Sequence, residues 1–144
     1  MQQLDKTAVI NAEKWLKGSI DESVKQEILS LKENNISEFN DAFYKTLEFG
    51  TGGLRGVMGI GTNRMNKYVI AMTTQGFCNY IRQNNPNEKI RTVISYDSRN
   101  NSKEFATITA RVMAANGFNV FLFEDIRPTP ELSFAVRELK ANAG

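Results

Sequence analysis

One hydroxyl, Thr51, and one guanidinium, Arg55, stand among Gly50, Gly52, Gly53, Gly56, Gly59 and Gly61, which make up most of the chain's 10 glycines. Glycine costs backbone entropy in any regular element, so such a cluster marks tight turns or close approach of backbone to a ligand. Bare backbone N–H groups beside a planar, five-donor cation are what a phosphate or carboxylate oxygen needs. Thr51, Gly52, Gly53 and Arg55 are therefore candidate anion ligands. The same residues would equally make a hairpin with glycine turns, and pattern alone leaves the two readings level.

Two further polar clusters occur downstream, Asp97-Ser98-Arg99 and Arg127-Pro128-Thr129. Asp97 and Arg99 are candidate phosphate-binding residues, and they could also form a salt bridge that steadies their own loop. Thr129 reads mainly as a helix cap. The chain has no histidine, which removes the usual general base near neutral pH and any Ser-His-Asp or Cys-His mechanism run by this chain. Chemistry here must rest on Arg, Lys, Asp, Glu, Ser or Thr. Cys78 is the single cysteine, so no internal disulfide forms, which fits a reducing cytoplasm. A net charge of +2, with Lys and Arg scattered between Asp and Glu, argues against nucleic acid and membrane as partners. The first residues carry no signal-peptide pattern, and no apolar run is long enough to span a bilayer.

These residues need elements to hold them. Val9, Ala12, Trp15 and Leu16 share one helical face that Gly18 ends. Asp21 is suited to cap the next helix, with Val24, Ile28 and Leu31 inward. Ser37 reads as the cap of a third, in which Phe39, Phe43 and Leu47 repeat up to Gly50. These aromatics read as core. After the glycine-rich stretch, a hairpin-like excursion, comes a longer helix whose stripe reads as Val69, Thr73, Phe77 and Tyr80 beside Met72 and Ile81. Residues 92–96 read as a strand. A helix capped by Asn101 or Ser102 follows, with Glu104 as capping-box partner and Phe105, Ile108, Val112 and Met113 inward, and Asn116-Gly117 closes it. Residues 119–123 read as a strand buried on both faces. Thr129 as N-cap and Pro130 as first residue open the last helix, with Leu132, Val136 and Leu139 inward.

Strand, helix, strand, helix predicts an α/β fold: three α/β/α layers around a mixed, mostly parallel sheet, preceded by N-terminal helices. Residues 1–48 are expected to form a helical extension packing on a domain of residues 49–144. Ligands in such sheets bind beyond the carboxyl ends of the strands, where the Asp97 and Arg127 loops fall. A helix finishing at Asn142-Ala143-Gly144 calls for one more strand, so a domain cut before its last strand is expected. An unpaired edge or apolar groove left there would favour self-association.

Phe49-Gly50-Thr51-Gly52-Gly53-Leu54-Arg55-Gly56 resembles the first domain of the α-D-phosphohexomutases. Asn63-Arg64-Met65-Asn66, Thr73-Thr74-Gln75-Gly76-Phe77-Cys78, Ser95-Tyr96-Asp97-Ser98-Arg99 and Asp125-Ile126-Arg127-Pro128-Thr129-Pro130-Glu131 follow in family order. The likeness is to the branch of phosphoglucomutases, phosphomannomutases and phosphopentomutases, and it covers roughly residues 5 to 144. It implies a cytoplasmic enzyme that moves a phosphoryl group between sugar positions through a phosphoserine and a bisphosphorylated sugar, with a sugar bisphosphate as activator. It also implies Mg²⁺, held by ligands outside this chain. By resemblance Arg55 contacts the phosphate on the phosphoserine side, while Asp97 and Arg99 support the same cleft. The phosphoserine and an acid/base lysine are implied to lie after Gly144, so the chain by itself is expected to be inactive. Gly53 and Ser95 depart from other branches of the family, where Ser or Asp and Gly are frequent. Which sugar phosphate is preferred is left open. The alternatives are a stand-alone α/β module that binds a phosphorylated metabolite and a dinucleotide-binding domain, which would need a Gly-x-Gly-x-x-Gly turn that is missing.

Overall fold

A computed structural model describes residues 3–144, which form two units parting between Val69 and Ile70. The first opens with α1 (Lys6–Lys17), α2 (Glu22–Asn34) and α3 (Ile36–Phe43). The Asp5 carboxylate caps α1 by accepting the Ala8 N–H at 2.8 Å, and Lys14 and Lys17 sit in its last turn, where the helix dipole favours cations. Ala8, Ala12 and Trp15 recur at helical spacing and are buried. They pack with Ile28, Phe39, Ala42, Phe43 and Val69 into one core. Trp15 meets the Phe43 ring edge-on at 5.8 Å, a geometry the ring quadrupoles favour.

Three local expectations fail here. Asn35, not Ser37, caps α3, accepting the Glu38 N–H at 3.2 Å from a residue with φ −145°. Asp21 holds the cap position of α2 without capping it, because its carboxylate pairs with Lys67. The helix stops at Phe43, so Leu47 lies beyond it in extended chain and donates its N–H to the Thr62 carbonyl at 2.8 Å. A short antiparallel hairpin follows, β1 (Phe49–Gly50) with β2 (Gly53–Leu54).

In the second unit, the parallel pair β3 (Arg91–Ile94) and β4 (Asn119–Leu122) aligns Arg91 with Asn119 and Ile94 with Leu122. The crossover is α5 (Ser102–Ala115), which Gly117 closes at φ 77°. Asn142 and Ala143 lie along the other side of β3: Val93 donates to the Ala143 carbonyl at 3.0 Å and Asn142 to the Arg91 carbonyl at 2.8 Å. The architecture is thus α/β, with N-terminal helices, one parallel pair and one separate hairpin. Cys78, Ile81, Ile90, Met113 and Phe118 form this unit's core.

The helix α4 (Lys67–Asn84) buries Val69 and Ile81 of its expected stripe, but its middle turns present a different face from the one the periodicity suggests. Thr74, Cys78 and Ile81 are buried, whereas Met72, Phe77 and Tyr80 are exposed. Apolar residues occur on both sides of this helix, so spacing alone picks the wrong one. Thr74 tolerates burial because its hydroxyl donates to the Ile70 carbonyl at 2.8 Å. Phe121 and Leu122 of β4 are 40 % exposed each, not buried on both faces. Among the described residues β4 has β3 as its single strand neighbour. The last helix, α6 (Thr129–Glu138), starts one residue early, with Pro128 in the cap position and Thr129 already helical; no residue of it is fully buried. Among the described residues no helix is long and apolar enough to cross a membrane.

Candidate functional site

The hairpin is built around Thr51-Gly52. Gly52 has φ 83°, the value a type II turn asks of its second central residue, and Gly53 has φ 123°. A Cβ on Gly53 would meet nothing within 4 Å, so that glycine is required by conformation alone. A Cβ on Gly52 would lie 3.8 Å from Arg55 Nη2, which places the guanidinium against the turn's backbone. Arg55 is exposed, and among the described residues it makes no ion pair. Thr51, Gly52, Gly53 and Arg55 therefore come together, with the Arg55 donors turned to solvent. A planar fork left free beside a glycine turn is suited to a phosphate or carboxylate.

The stretch after the hairpin is held in the opposite way. Arg64 is only 4 % exposed. Its Nη2 donates to Glu38 Oε1 at 2.7 Å and to Asp41 Oδ2 at 2.6 Å, while Nη1 reaches the Asp41 carbonyl at 3.2 Å. Burial by itself disfavours the Arg64 charge, but the bonds from Glu38 and Asp41 outweigh it and hold its pKa above the ordinary value. Asn66 donates to the Gly59 carbonyl at 2.9 Å and the Gly61 carbonyl at 3.0 Å, and its Oδ1 accepts the Val69 N–H at 3.0 Å. Gly61, at φ 135°, lies so close to α3 that a Cβ would come within 2.3 Å of the Ala42 carbonyl oxygen.

Sequence reasoning placed neither Arg64 nor Asn66 in a role. A signal existed: Arg64 is the one charge in residues 56–66, and Glu38 and Asp41 lie three apart on one helix face.

In the second unit Asp97 and Arg99 meet. Arg99 donates its backbone N–H to Asp97 Oδ1 at 3.0 Å and its Nε to Oδ2 at 2.7 Å, so the salt-bridge alternative is what the loop contains. The Arg99 N–H foremost, helped by the Ser102 hydroxyl and the Arg99 side chain, holds the Asp97 carboxyl below its ordinary value, against an opposing effect of burial that is second only to that N–H. The Arg99 side chain is 86 % exposed, and this pair engages Nε and leaves its two terminal nitrogens outward. Tyr96, Ser98, Lys103 and Asp125 join them around a cleft of about 370 Å³ at the carboxyl ends of the strands. Tyr96 donates its hydroxyl to the Glu124 carbonyl at 2.5 Å, which ties the loops after β3 and β4. Lys103, another cation not singled out from sequence, stands in the first turn of α5 with Nζ 5.9 Å from the Tyr96 ring centre. Arg127 pairs with Glu131 at 3.2 Å. Among the described residues there is no group of three or more His, Cys, Asp or Glu side chains that could hold a metal ion.

Comparison with known proteins agrees with this fold. The family described as phosphoglucomutase/phosphomannomutase, alpha/beta/alpha domain I, matches residues 46–144. The chain is 41% identical over 139 residues to a phosphopentomutase of Homo sapiens, covering 91% of this chain and 22% of that protein. It is 41% identical over 107 residues to a phosphoglucomutase of Staphylococcus epidermidis, covering 74% and 19%. With a phosphoglucomutase of Staphylococcus aureus it shares 39% identity over 137 residues, covering 95% and 24%. The chain thus spans about a fifth of the length of the curated relatives it matches. No solved structure matches it. The chain belongs to the phosphoglucomutase/phosphomannomutase family and carries that family's α/β/α domain I over residues 46–144.

Proposed function

We propose that this chain supplies one phosphate-holding wall of a sugar-phosphate mutase, residues 49–144 being domain I and residues 1–48 its helical extension. The observation that carries the reading is the exposed Arg55 guanidinium, without an ion-pair partner among the described residues, against the Thr51-Gly52 turn. Phosphoryl transfer asks a protein mainly for positioning and for donors aimed at developing charge. Arg55 meets both needs with a fixed fork, and the Thr51 hydroxyl and the amides at Gly52 and Gly53 add neutral donors. In the reaction proposed, a phosphoserine passes its phosphoryl group to a sugar phosphate. The bisphosphorylated sugar reorients and returns its other phosphate, and a sugar bisphosphate serves as activator. Asp97 steadies Arg99, whose outward nitrogens contact the phosphorylated sugar. Mg²⁺ spreads charge on the transferring group when bound, and its ligands come from other residues.

The test is a chimaera in which this chain replaces the matching span of the Staphylococcus aureus phosphoglucomutase. It should convert glucose 1-phosphate to glucose 6-phosphate, and Arg55→Ala should lower kcat/KM roughly 100-fold. The 144-residue chain assayed alone should show no turnover above background. A folded but inactive chimaera, or one indifferent to Arg55→Ala, removes the reading. The cleft around Arg99 and Lys103 favours a second reading, a module that binds a phosphorylated metabolite by itself. In that case the isolated chain binds glucose 1-phosphate, and Arg99→Ala abolishes binding while Arg55→Ala leaves it unchanged.

A further inference from the structure

In the hairpin bearing Arg55, Leu54 packs against the α1–α3 core, and the rest of its placement depends on where its two ends are fixed. Leu47, just before β1, donates its N–H to the Thr62 carbonyl at 2.8 Å. Val57, just after Gly56, accepts the Met65 N–H at 2.8 Å, and Gly59 donates to the Met65 carbonyl at 3.2 Å. Both ends are thus pinned to residues 62–65. That segment is in turn fastened to α3: Asn63 donates its N–H to the Ala42 carbonyl at 2.9 Å, its side chain reaches the Asp41 carbonyl at 3.0 Å, and Arg64 grips Glu38 and Asp41. The Arg64 stem also underlies the loop, since a Cβ on Gly59 would lie 3.7 Å from Arg64 Cδ.

A surface lysine or a lone hydrogen bond could not do this. The Arg64 grip reaches two carboxylates and a carbonyl from a guanidinium that is itself buried, with Glu38 and Asp41 about half exposed at its outer edge. It is a polar tie between the glycine-rich stretch, whose Leu54 and Ile60 pack on the core, and α3, whose Phe39, Ala42 and Phe43 form part of it.

We infer that Arg64 is a positioning residue, which sets where Arg55 presents its guanidinium by clamping residues 62–65, and with them both ends of the hairpin, to Glu38 and Asp41. The inference deepens the mutase reading where kinetics are concerned, and its structural half stands apart from that reading.

Amide hydrogen exchange on the 144-residue chain decides the structural half. In Arg64→Met the Leu47 and Met65 amides should exchange at least roughly 10-fold faster, while amides of β3 and β4 keep their rates. Arg64→Lys should fall between, because one point charge recovers part of the contact. If Arg64→Met does not fold, Asp41→Asn, which removes one charged partner and keeps the backbone, carries the same comparison. Unchanged Leu47 and Met65 amides, or a uniform rise across the chain, would overturn the clamp. Kinetics in the chimaera decide the other half. Arg64→Met should lower kcat roughly 10-fold when Arg55 is present and less than about 2-fold in Arg55→Ala, because a misplaced side chain matters only if it is there. Equal factors in both backgrounds mean a general loss of folded protein and would overturn the positioning role. An inactive wild-type chimaera refutes the mutase reading, and the exchange rates still decide the clamp.

Discussion

Residues 49–56, with four glycines, and residues 57–66, with two, adjoin in the chain, which uses them in opposite ways. Each half is rich in glycine and each carries a single arginine. In the first, Gly52 and Gly53 adopt positive φ with open space around them, and Arg55 faces water. In the second, Gly61 is wedged against Ala42, and Arg64 is buried among carboxylates. Residue type therefore does not separate a solvent-facing arginine from a structural one. What separates them is whether the fold has already spent the donors.

The largest effect expected from breaking this contrast is on stability. Arg64→Met removes a buried guanidinium with its charge-assisted hydrogen bonds to the half-exposed Glu38 and Asp41, and should cost about 3 kcal/mol in chemical denaturation. Arg55→Ala should leave the denaturation midpoint where it is. If both mutations destabilise alike, the contrast is lost. Gly61→Ala should come close behind, at about 2 kcal/mol or more, because it adds a clash with backbone to a φ of 135°. Gly53→Ala, strained but unobstructed, should cost about 1 kcal/mol.

Thr92 sharpens the same point from the other side. It is fully buried in β3, and its Oγ1 has no hydrogen-bond partner among the described residues. Thr92→Val keeps the shape and removes the orphan, so it should stabilise the chain by about 1 kcal/mol. The smallest effect belongs to the exposed Asp97–Arg99 pair. Asp97 titrates below its ordinary value in the folded chain, so its contribution is present above that value and fades as pH falls through the lowered one. Asp97→Asn should remove this small contribution at neutral pH and change nothing once the carboxyl is protonated, so the acid limb of the stability profile flattens slightly below about pH 4.

Much of this was legible in the residues. The period of Ala8, Ala12 and Trp15, the αL stop at Gly117 and the β3–α5–β4 crossover are local or periodic, and pattern reading reaches them. So was the hairpin, since Thr51-Gly52 sets its own turn. The face of α4 was legible only at Val69 and Ile81, because in between Met72, Phe77 and Tyr80 compete with Thr74 and Cys78 and only tertiary packing chooses. The cap of α3 was read at Ser37, two residues late, because Asn35 and Ser37 offer the same capping chemistry. Arg64 escaped for a different reason: its partners lie 23 and 26 residues earlier, beyond any local spacing rule. The pairing of Asp97 with Arg99, two residues apart, lay within reach and was one of two readings open there.

The position of β3 has a consequence for the order of events on the ribosome. One of its flanks is filled by β4, and the other by Asn142 and Ala143, with Asn142 accepting the Arg91 N–H across a separation of 51 residues. The central strand is therefore made long before its last neighbour exists. At ordinary rates of translation that gap lasts on the order of seconds. The α1–α3 core draws most of its residues from a short stretch of chain, with Val69 the last to arrive, and can close while residues of the second unit are still being added. In a nascent chain, β3 is thus the strand most in need of shelter.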